Sequence, residues 1–215
     1  MSTIPTATIS RLVTYLRILG QLESVGVKKT SSDHLAEEAQ VSAFQVRKDL
    51  AYFGRFGTRG AGYSVPTLRR ELSRILGLTR PWNVAIVGMG HLGHALAGYS
   101  SFEQYDFSFS LKAFFDKDPA KVGRKVLDTE IRHPRELPRV VSEKGIDIGF
   151  VTVPRAAAQG VADQLVAAGI KGILNFAPTL LNVPNEIHVE PVDFLVGLKR
   201  LSFYIQNPQL KEEFA

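Results

Sequence analysis

Apolar residues recur at intervals of three and four along the first third of the chain, and in short unbroken runs further on. The first spacing belongs to amphipathic helices, the second to strands buried on both faces. Over residues 8–25, Ile9, Leu12, Val13, Leu16, Leu19 and Leu22 form one stripe, which predicts a long helix stopped by Gly26. A second side carrying Tyr15 and Ile18 predicts contact with a neighbouring domain or subunit. Ser31, Ser32 and Asp33 offer caps for a short helix over Leu35, Ala36 and Ala39. The spacing from Ser42 to Gln45 is that of a capping box and opens a third helix over 43–53. On its wheel Ala43, Val46, Leu50 and Phe53 share one face, while Gln45, Lys48 and Tyr52 lie opposite, flanked by Phe44, Arg47 and Ala51. An outward face of amides, cations and aromatics suits base edges and phosphates in a major groove.

The segment that follows, GRFGTRGAGYSV, has four glycines and two arginines, and predicts two brief strands joined by a tight tip. Three helices followed by a hairpin make a winged helix-turn-helix, with Arg55, Thr58 and Arg59 of the wing placed for phosphates or a narrow minor groove. Pro66 opens a fourth helix at its first turn, with Leu68, Leu72, Ile75 and Leu76 apolar and Arg69, Arg70 and Arg74 basic. Residues 77–81 are the joint to a second domain.

Beyond the joint the period changes. Val84, Ala85, Ile86 and Val87 form a continuous apolar strand that runs straight into Gly88-Met89-Gly90-His91-Leu92-Gly93, with a helix predicted from His91 to Tyr99. In a strand, loop and helix of this kind the first glycine makes the turn, the second lets backbone approach a pyrophosphate, and the third lets helix and strand pack. A second strand over 107–115 ends at Asp116, about where a carboxylate meets a ribose 2′-hydroxyl. A turn at Asp118, Pro119 and Gly123, a helix over 134–144, a strand over 146–153, a helix over 156–168, and strands over 170–176 and 187–192 complete an alternation. That alternation predicts an α/β, doubly wound parallel sheet of Rossmann type. Ligands of such sheets lie beyond the carboxyl ends of the strands, where Thr152, Val153, Pro154, Asn175, Phe176 and Ala177 fall. A last helix over 194–205, capped by Asp193, is apolar on more than one side, which predicts burial in a second copy. The division expected is 1–79, 80–192 and 193–215.

Charge sharpens this picture. Residues 1–80 hold 12 Lys and Arg against 6 Asp and Glu, while the remainder is close to neutral, so the chain's net +5 resides in the first domain. That asymmetry points to a polyanion partner. With no cysteine there is no disulfide and no thiol chemistry, and any redox role must come from a cofactor. No apolar run is long enough to span a membrane and no signal pattern opens the chain, so a cytoplasmic protein without a membrane partner is expected. The five histidines (His34, His91, His94, His133 and His188) form no metal spacing and offer no acid or base for hydride transfer. No catalytic or metal residue is therefore expected. An NAD-dependent oxidoreductase with an accessory nucleic-acid-binding domain and a CoA-binding Rossmann protein remain the alternatives. Asp116 counts against the latter.

Taken together, ISRLVTYLRIL, SAFQVRKDLAYFGRFGTRGAGY, VAIVGMGHLG, FFDKDPAKVG, VTVPR, GIKGILNFAP and VDFLVGLKRLSF resemble, in order and over nearly the whole chain, the Rex family of redox-sensing transcriptional repressors. The resemblance implies a homodimer whose last helix exchanges between subunits. It implies a repressor released from operator DNA by NADH, with NAD+ compatible with binding. The phosphate loop falls on Gly88–Gly93 and the recognition helix on Ser42–Phe53. Lys117, beside Asp116, departs from the pattern by placing a cation where a 2′-phosphate of NADP(H) would sit. Phe194 is expected to favour the neutral reduced ring, and Arg17, Tyr99 and Asp193 to form contacts that change between states.

Overall fold

The computed structural model of the protein describes residues 4–58, 62–99 and 109–210, in two compact units that divide between Arg80 and Pro81. In the first unit, α1 (Thr6–Ser24), α2 (Ser32–Ala39), α3 (Ala43–Ala51) and α4 (Val65–Ile75) surround a three-stranded antiparallel sheet of order β1–β3–β2. Its strands are β1 (Lys29–Thr30), β2 (Gly57–Thr58) and β3 (Gly62–Ser64). This is a winged helix, with β2 and β3 as the wing. Ser31 and Ser42 cap α2 and α3 by accepting the amides of His34 and Gln45, each at 3.1 Å. The capping box is half formed, because the Gln45 side chain runs forward to Asp49 rather than back to Ser42.

The face that α1 buries differs from the expected stripe. Leu12, Tyr15, Leu16, Ile18 and Leu19 are buried within the unit, whereas Ile9 and Val13 are 37% and 43% exposed. Tyr15 and Ile18 thus belong to this unit's own core and not to an outside contact. The reason is a partner the wheel does not display: the Tyr15 hydroxyl donates to Asp49 on α3 at 2.9 Å, which turns the ring inward. Each large side chain buried this way contributes roughly 1.5–3 kcal/mol of hydrophobic stabilisation.

The second unit is built on a seven-stranded sheet of order β10–β9–β8–β4–β5–β7–β6. It comprises β4 (Trp82–Val87), β5 (Phe109–Phe115), β6 (Lys125–Val126), β7 (Thr129–Arg132), β8 (Ile148–Val151), β9 (Gly172–Asn175) and β10 (His188–Pro191). All neighbours are parallel except the β6–β7 hairpin. Strand order reverses on either side of β4, which places a switch point directly above the glycine loop. Because side chains alternate along a strand, β4 feeds two cores. Ala85 and Val87 pack with Leu137, Val140, Ala158 and Leu165, and Val84 and Ile86 pack with Met89, Ala97 and Phe150. Among the described residues the covering helices are α5 (His91–Ala97) on one face, and α6 (Leu137–Lys144) and α7 (Arg155–Ala167) on the other. Residues 107 and 108 of the expected second strand lie outside the described residues.

The last helix, α8 (Phe194–Gln206), is capped by Asp193, which accepts the Leu195 amide at 2.9 Å. None of its residues is buried, and Phe194 and Ile205 are 75% and 78% exposed. No helix among the described residues is long and apolar enough to cross a membrane.

Candidate functional site

At the carboxyl ends of β4, β5 and β8 lies a cleft of about 1210 Å³. Val87, Gly88 and Gly90 form its floor, and Asp116 and Lys117 stand on one side with Thr152, Val153 and Pro154 on the other. Gly88, Gly90 and Asp116 are expected here from the glycine motif, and Thr152, Val153 and Pro154 from the strand ends. Within the loop, Met89 is buried, Gly93 packs inward, and His91 and Leu92 are exposed on the first turn of α5.

The three glycines differ in what they tolerate. Gly88 has φ +109°, and a Cβ there would stand 2.6 Å from the Thr152 carbonyl oxygen. A Cβ on Gly93 would meet the Gly88 carbonyl oxygen. Both are therefore required by the fold. Around a Cβ on Gly90 there is nothing within 4 Å. Its missing side chain leaves space over the cleft, as a backbone that must come close to a ligand requires.

Asp116 is more deeply engaged than its expected ribose contact suggests. Its Oδ2 accepts the Met89 amide at 2.9 Å and the Lys121 ammonium at 3.0 Å, and its Oδ1 accepts the Asp118 amide at 2.9 Å. Burial works to raise its pKa, but the Asp118 and Met89 amides and the Lys121 charge outweigh it and hold the carboxyl below its ordinary value. Asp116 thus ties the glycine loop to the turn after β5. The Thr152 hydroxyl performs a similar task by donating to the carbonyl oxygens of Val87 and Gly88, at 3.0 and 2.8 Å.

Asn175, Phe176 and Ala177 stand apart from the lining of this cleft. The Asn175 amide is spent on its own loop, donating to the Thr179 carbonyl at 2.8 Å and accepting the Ala177 amide at 3.0 Å. Phe176 packs on Phe150, with ring centroids 5.8 Å apart. Sequence reasoning missed the opposite wall, where Lys121, His133, Arg135, Pro138, Gly160 and Gln164 face the cleft. The signal was available for α7, since Ala157, Gly160, Gln164 and Ala167 recur at helical spacing.

In the first unit, α3 presents Phe44 (67% exposed), Arg47, Lys48 and Tyr52 to solvent. The Arg47 guanidinium donates to the Ser32 hydroxyl at 2.9 Å, which steadies it across the helix-turn-helix corner. Gln45 is less free than the wheel implies, because its Nε2 donates to Asp49 Oδ1 at 2.8 Å. Arg55 is exposed before the wing, Thr58 is the last described residue of β2, and Arg59 lies outside the described residues. Among the described residues there is no group of three or more His, Asp or Glu able to hold a metal ion.

Comparison with known proteins bears on both units. The family model "Putative DNA-binding protein N-terminus" matches residues 3–51, and "CoA binding domain" matches residues 79–179. A curated relative from Thermus thermophilus, named "Redox-sensing transcriptional repressor Rex", is 61% identical over 210 residues, covering 98% of each chain. A crystal structure of RSP in complex with beta-NAD+ and operator DNA superposes with a TM-score of 0.90 at 40% identity, covering 98% of this chain and 96% of that one. A structure of RSP in complex with beta-NADH gives 0.85 at 38% identity, covering 98% of each. With a winged helix, a switch-point cleft over a glycine loop, and this likeness from end to end, the chain belongs to the Rex family of redox-sensing transcriptional repressors.

Proposed function

We propose that this chain works in the cytoplasm as a homodimeric repressor that holds operator DNA when NADH is scarce and releases it when NADH binds. The observation that carries the reading is the presence, in one chain, of a cationic α3 and an open glycine-floored cleft, joined by a short link. The cleft takes NAD(H). The first-turn amides of α5 around Gly90, His91 and Leu92 meet the pyrophosphate, Asp116 and Lys117 flank the adenosine ribose, and Thr152, Val153 and Pro154 form the opposite wall. Asn175, Phe176 and Ala177, at the end of β9, stand outside this cleft and would meet the nicotinamide only if it extends along the sheet edge beyond the cleft lining.

Ser42, Phe44, Gln45, Arg47, Lys48 and Tyr52 face the major groove, and Arg55, Thr58 and Arg59 the backbone or minor groove beside it. In a two-fold dimer the two α3 helices read half-sites about 34 Å apart, or a multiple of that, in a near-palindromic operator. Arg47→Ala/Lys48→Ala is expected to weaken operator binding and to flatten its dependence on log salt by about 1 for each phosphate no longer neutralised. Fluorescence anisotropy across a salt series measures this, and an unchanged slope removes both residues from the interface.

The exposed apolar faces of α8 support dimerisation through an exchanged helix, since so much uncovered hydrocarbon is costly in a free protomer. Leu198→Asp is expected to turn the dimer into monomers by light scattering, with operator affinity falling in parallel. Phe194 at the head of this helix offers the neutral reduced ring an apolar surface and penalises the cationic oxidised ring through desolvation. Arg17 and Tyr99, both exposed, and Asp193 supply contacts that differ between the two states. A shift from 1:99 to 99:1 requires NADH to prefer the released form by about 5.5 kcal/mol.

Operator mobility shift, titrated separately with NADH and NAD+, tests the whole reading. NADH is expected to dissociate the complex and NAD+ to leave it, and equal effects of the two would refute it. A thermal-shift comparison of NADH with CoA separates this reading from the ligand named by the second family model.

A further inference from the structure

Asp49 is fully buried, yet hydrogen-bond donors converge on its carboxylate from two helices. From α1 come the Thr8 hydroxyl at 3.0 Å, the Tyr15 hydroxyl at 2.9 Å, and Arg11 through Nε at 2.6 Å and Nη2 at 2.8 Å. The remaining donor, Gln45 Nε2 at 2.8 Å, comes from α3 itself, one turn earlier. Gln45 is half-buried and sits between the Ser42 cap and the exposed pair Arg47 and Lys48.

A carboxylate only accepts hydrogen bonds, so the end of the Gln45 amide that touches Asp49 must be its NH2. The α1 donors keep Asp49 charged and immobile, and the charged, immobile Asp49 fixes the polarity of Gln45. One N–H is spent. Oε1 has no protein partner among the described residues, and one N–H remains to donate.

The geometry points to Gln45 as a base-reading residue of fixed polarity, which selects an exocyclic amine in the major groove, and to Asp49 as the positioning residue that sets that polarity. This rests on the reading of α3 as the groove-facing helix. Adenine fits best, since its N6 amine donates to Oε1 while N7 accepts the free N–H. Cytosine satisfies Oε1 alone through N4. Guanine offers only O6 and N7 acceptors, so one of them must oppose Oε1, and thymine offers O4 and a methyl group.

The test uses the full chain and a duplex that it selects from a randomised pool. Each position of one half-site is then changed to all four bases, and affinities are measured for wild type, Gln45→Ala and Asp49→Asn. At one position wild type is expected to prefer adenine or cytosine over guanine or thymine by about tenfold. Gln45→Ala should flatten that position and leave the rest of the profile in place. Asp49→Asn, which offers Gln45 both an acceptor and a donor, should flatten the same position whatever its overall affinity. A loss of fold alone would lower all positions together. If Gln45→Ala keeps the wild-type profile, or if Asp49→Asn folds and keeps it, the inference is overturned. Should Asp49→Asn not fold, the Gln45→Ala profile decides. A wild-type chain that selects no duplex at all would instead sink the repressor reading.

Discussion

Gly93→Ala is expected to destabilise the second unit severely, while Gly90→Ala keeps the fold and weakens NADH binding. The two positions belong to one glycine motif, Gly90 as the cap of α5 and Gly93 within its first turn, and an added side chain meets different surroundings at each. An added methyl group at Gly93 would drive into the Gly88 carbonyl oxygen, which is backbone and cannot swing aside. Gly88 follows directly on β4, the strand at the centre of the sheet with β5 and β8 on either side. Relief therefore means separating α5 from β4, at the cost of the core packing of Met89 and Ala97. A loss above about 4 kcal/mol is expected, a large share of the roughly 5–15 kcal/mol that stabilises a domain. At Gly90 the same methyl group meets no protein atom, so the thermal midpoint should stay within a few degrees of wild type. The methyl group would instead occupy the approach of a pyrophosphate to the loop amides. Charge-assisted hydrogen bonds are worth about 1.5–3 kcal/mol each, so losing even one or two weakens NADH on the order of 100-fold. Thermal unfolding and an NADH fluorescence titration read the two effects separately. A Gly90→Ala chain that binds NADH as wild type does would remove the loop from the ligand site.

Asp49→Ala is expected to destabilise the first unit by about 3–5 kcal/mol, because it strands Arg11, Tyr15 and Thr8 around a hole where a charge had been. The pH dependence has a definite sign. Burial alone raises the Asp49 pKa, but hydrogen bonds from Arg11, Gln45, Tyr15 and Thr8 prevail and hold it below its ordinary 3.8. A carboxyl whose folded pKa lies below its unfolded value binds fewer protons in the folded state. Its stabilisation is complete above the unfolded pKa and disappears as pH falls through the folded one. The gap in unfolding free energy between wild type and Asp49→Ala should accordingly be widest near neutrality and narrow below about pH 4. Chemical denaturation at a series of pH values measures it. A gap independent of pH would show that packing, and not the ionised network, accounts for the loss.

Much of the molecule was legible from residue order alone, and the reasons are local. The glycine loop could be placed because an apolar run, three glycines and a helix are consecutive in sequence, and Asp116 because it ends the next apolar run at about the expected spacing from the last glycine. The winged helix was readable from caps, helical period and clustered glycines. What a single-helix wheel cannot show is a polar partner on another element. Asp49 is the clearest case: by periodicity it falls beside the outward face of α3, yet it is buried because α1 brings Arg11, Tyr15 and Thr8 to it. That meeting turned Tyr15 into core and took one hydrogen of Gln45.

The cleft shows the same division. Lys121 reaches Asp116 only because the turn after β5 folds back, and Asn175 is withdrawn because its own loop satisfies the amide. Sequence by itself determined which segments become helix or strand and where the chain places its glycines and cations, since these follow from period, steric permission and charge. Tertiary structure alone decided which polar groups are already spoken for. A hydrogen-bond donor or acceptor has few bonds to give, and the groups that claim them come from distant parts of the chain.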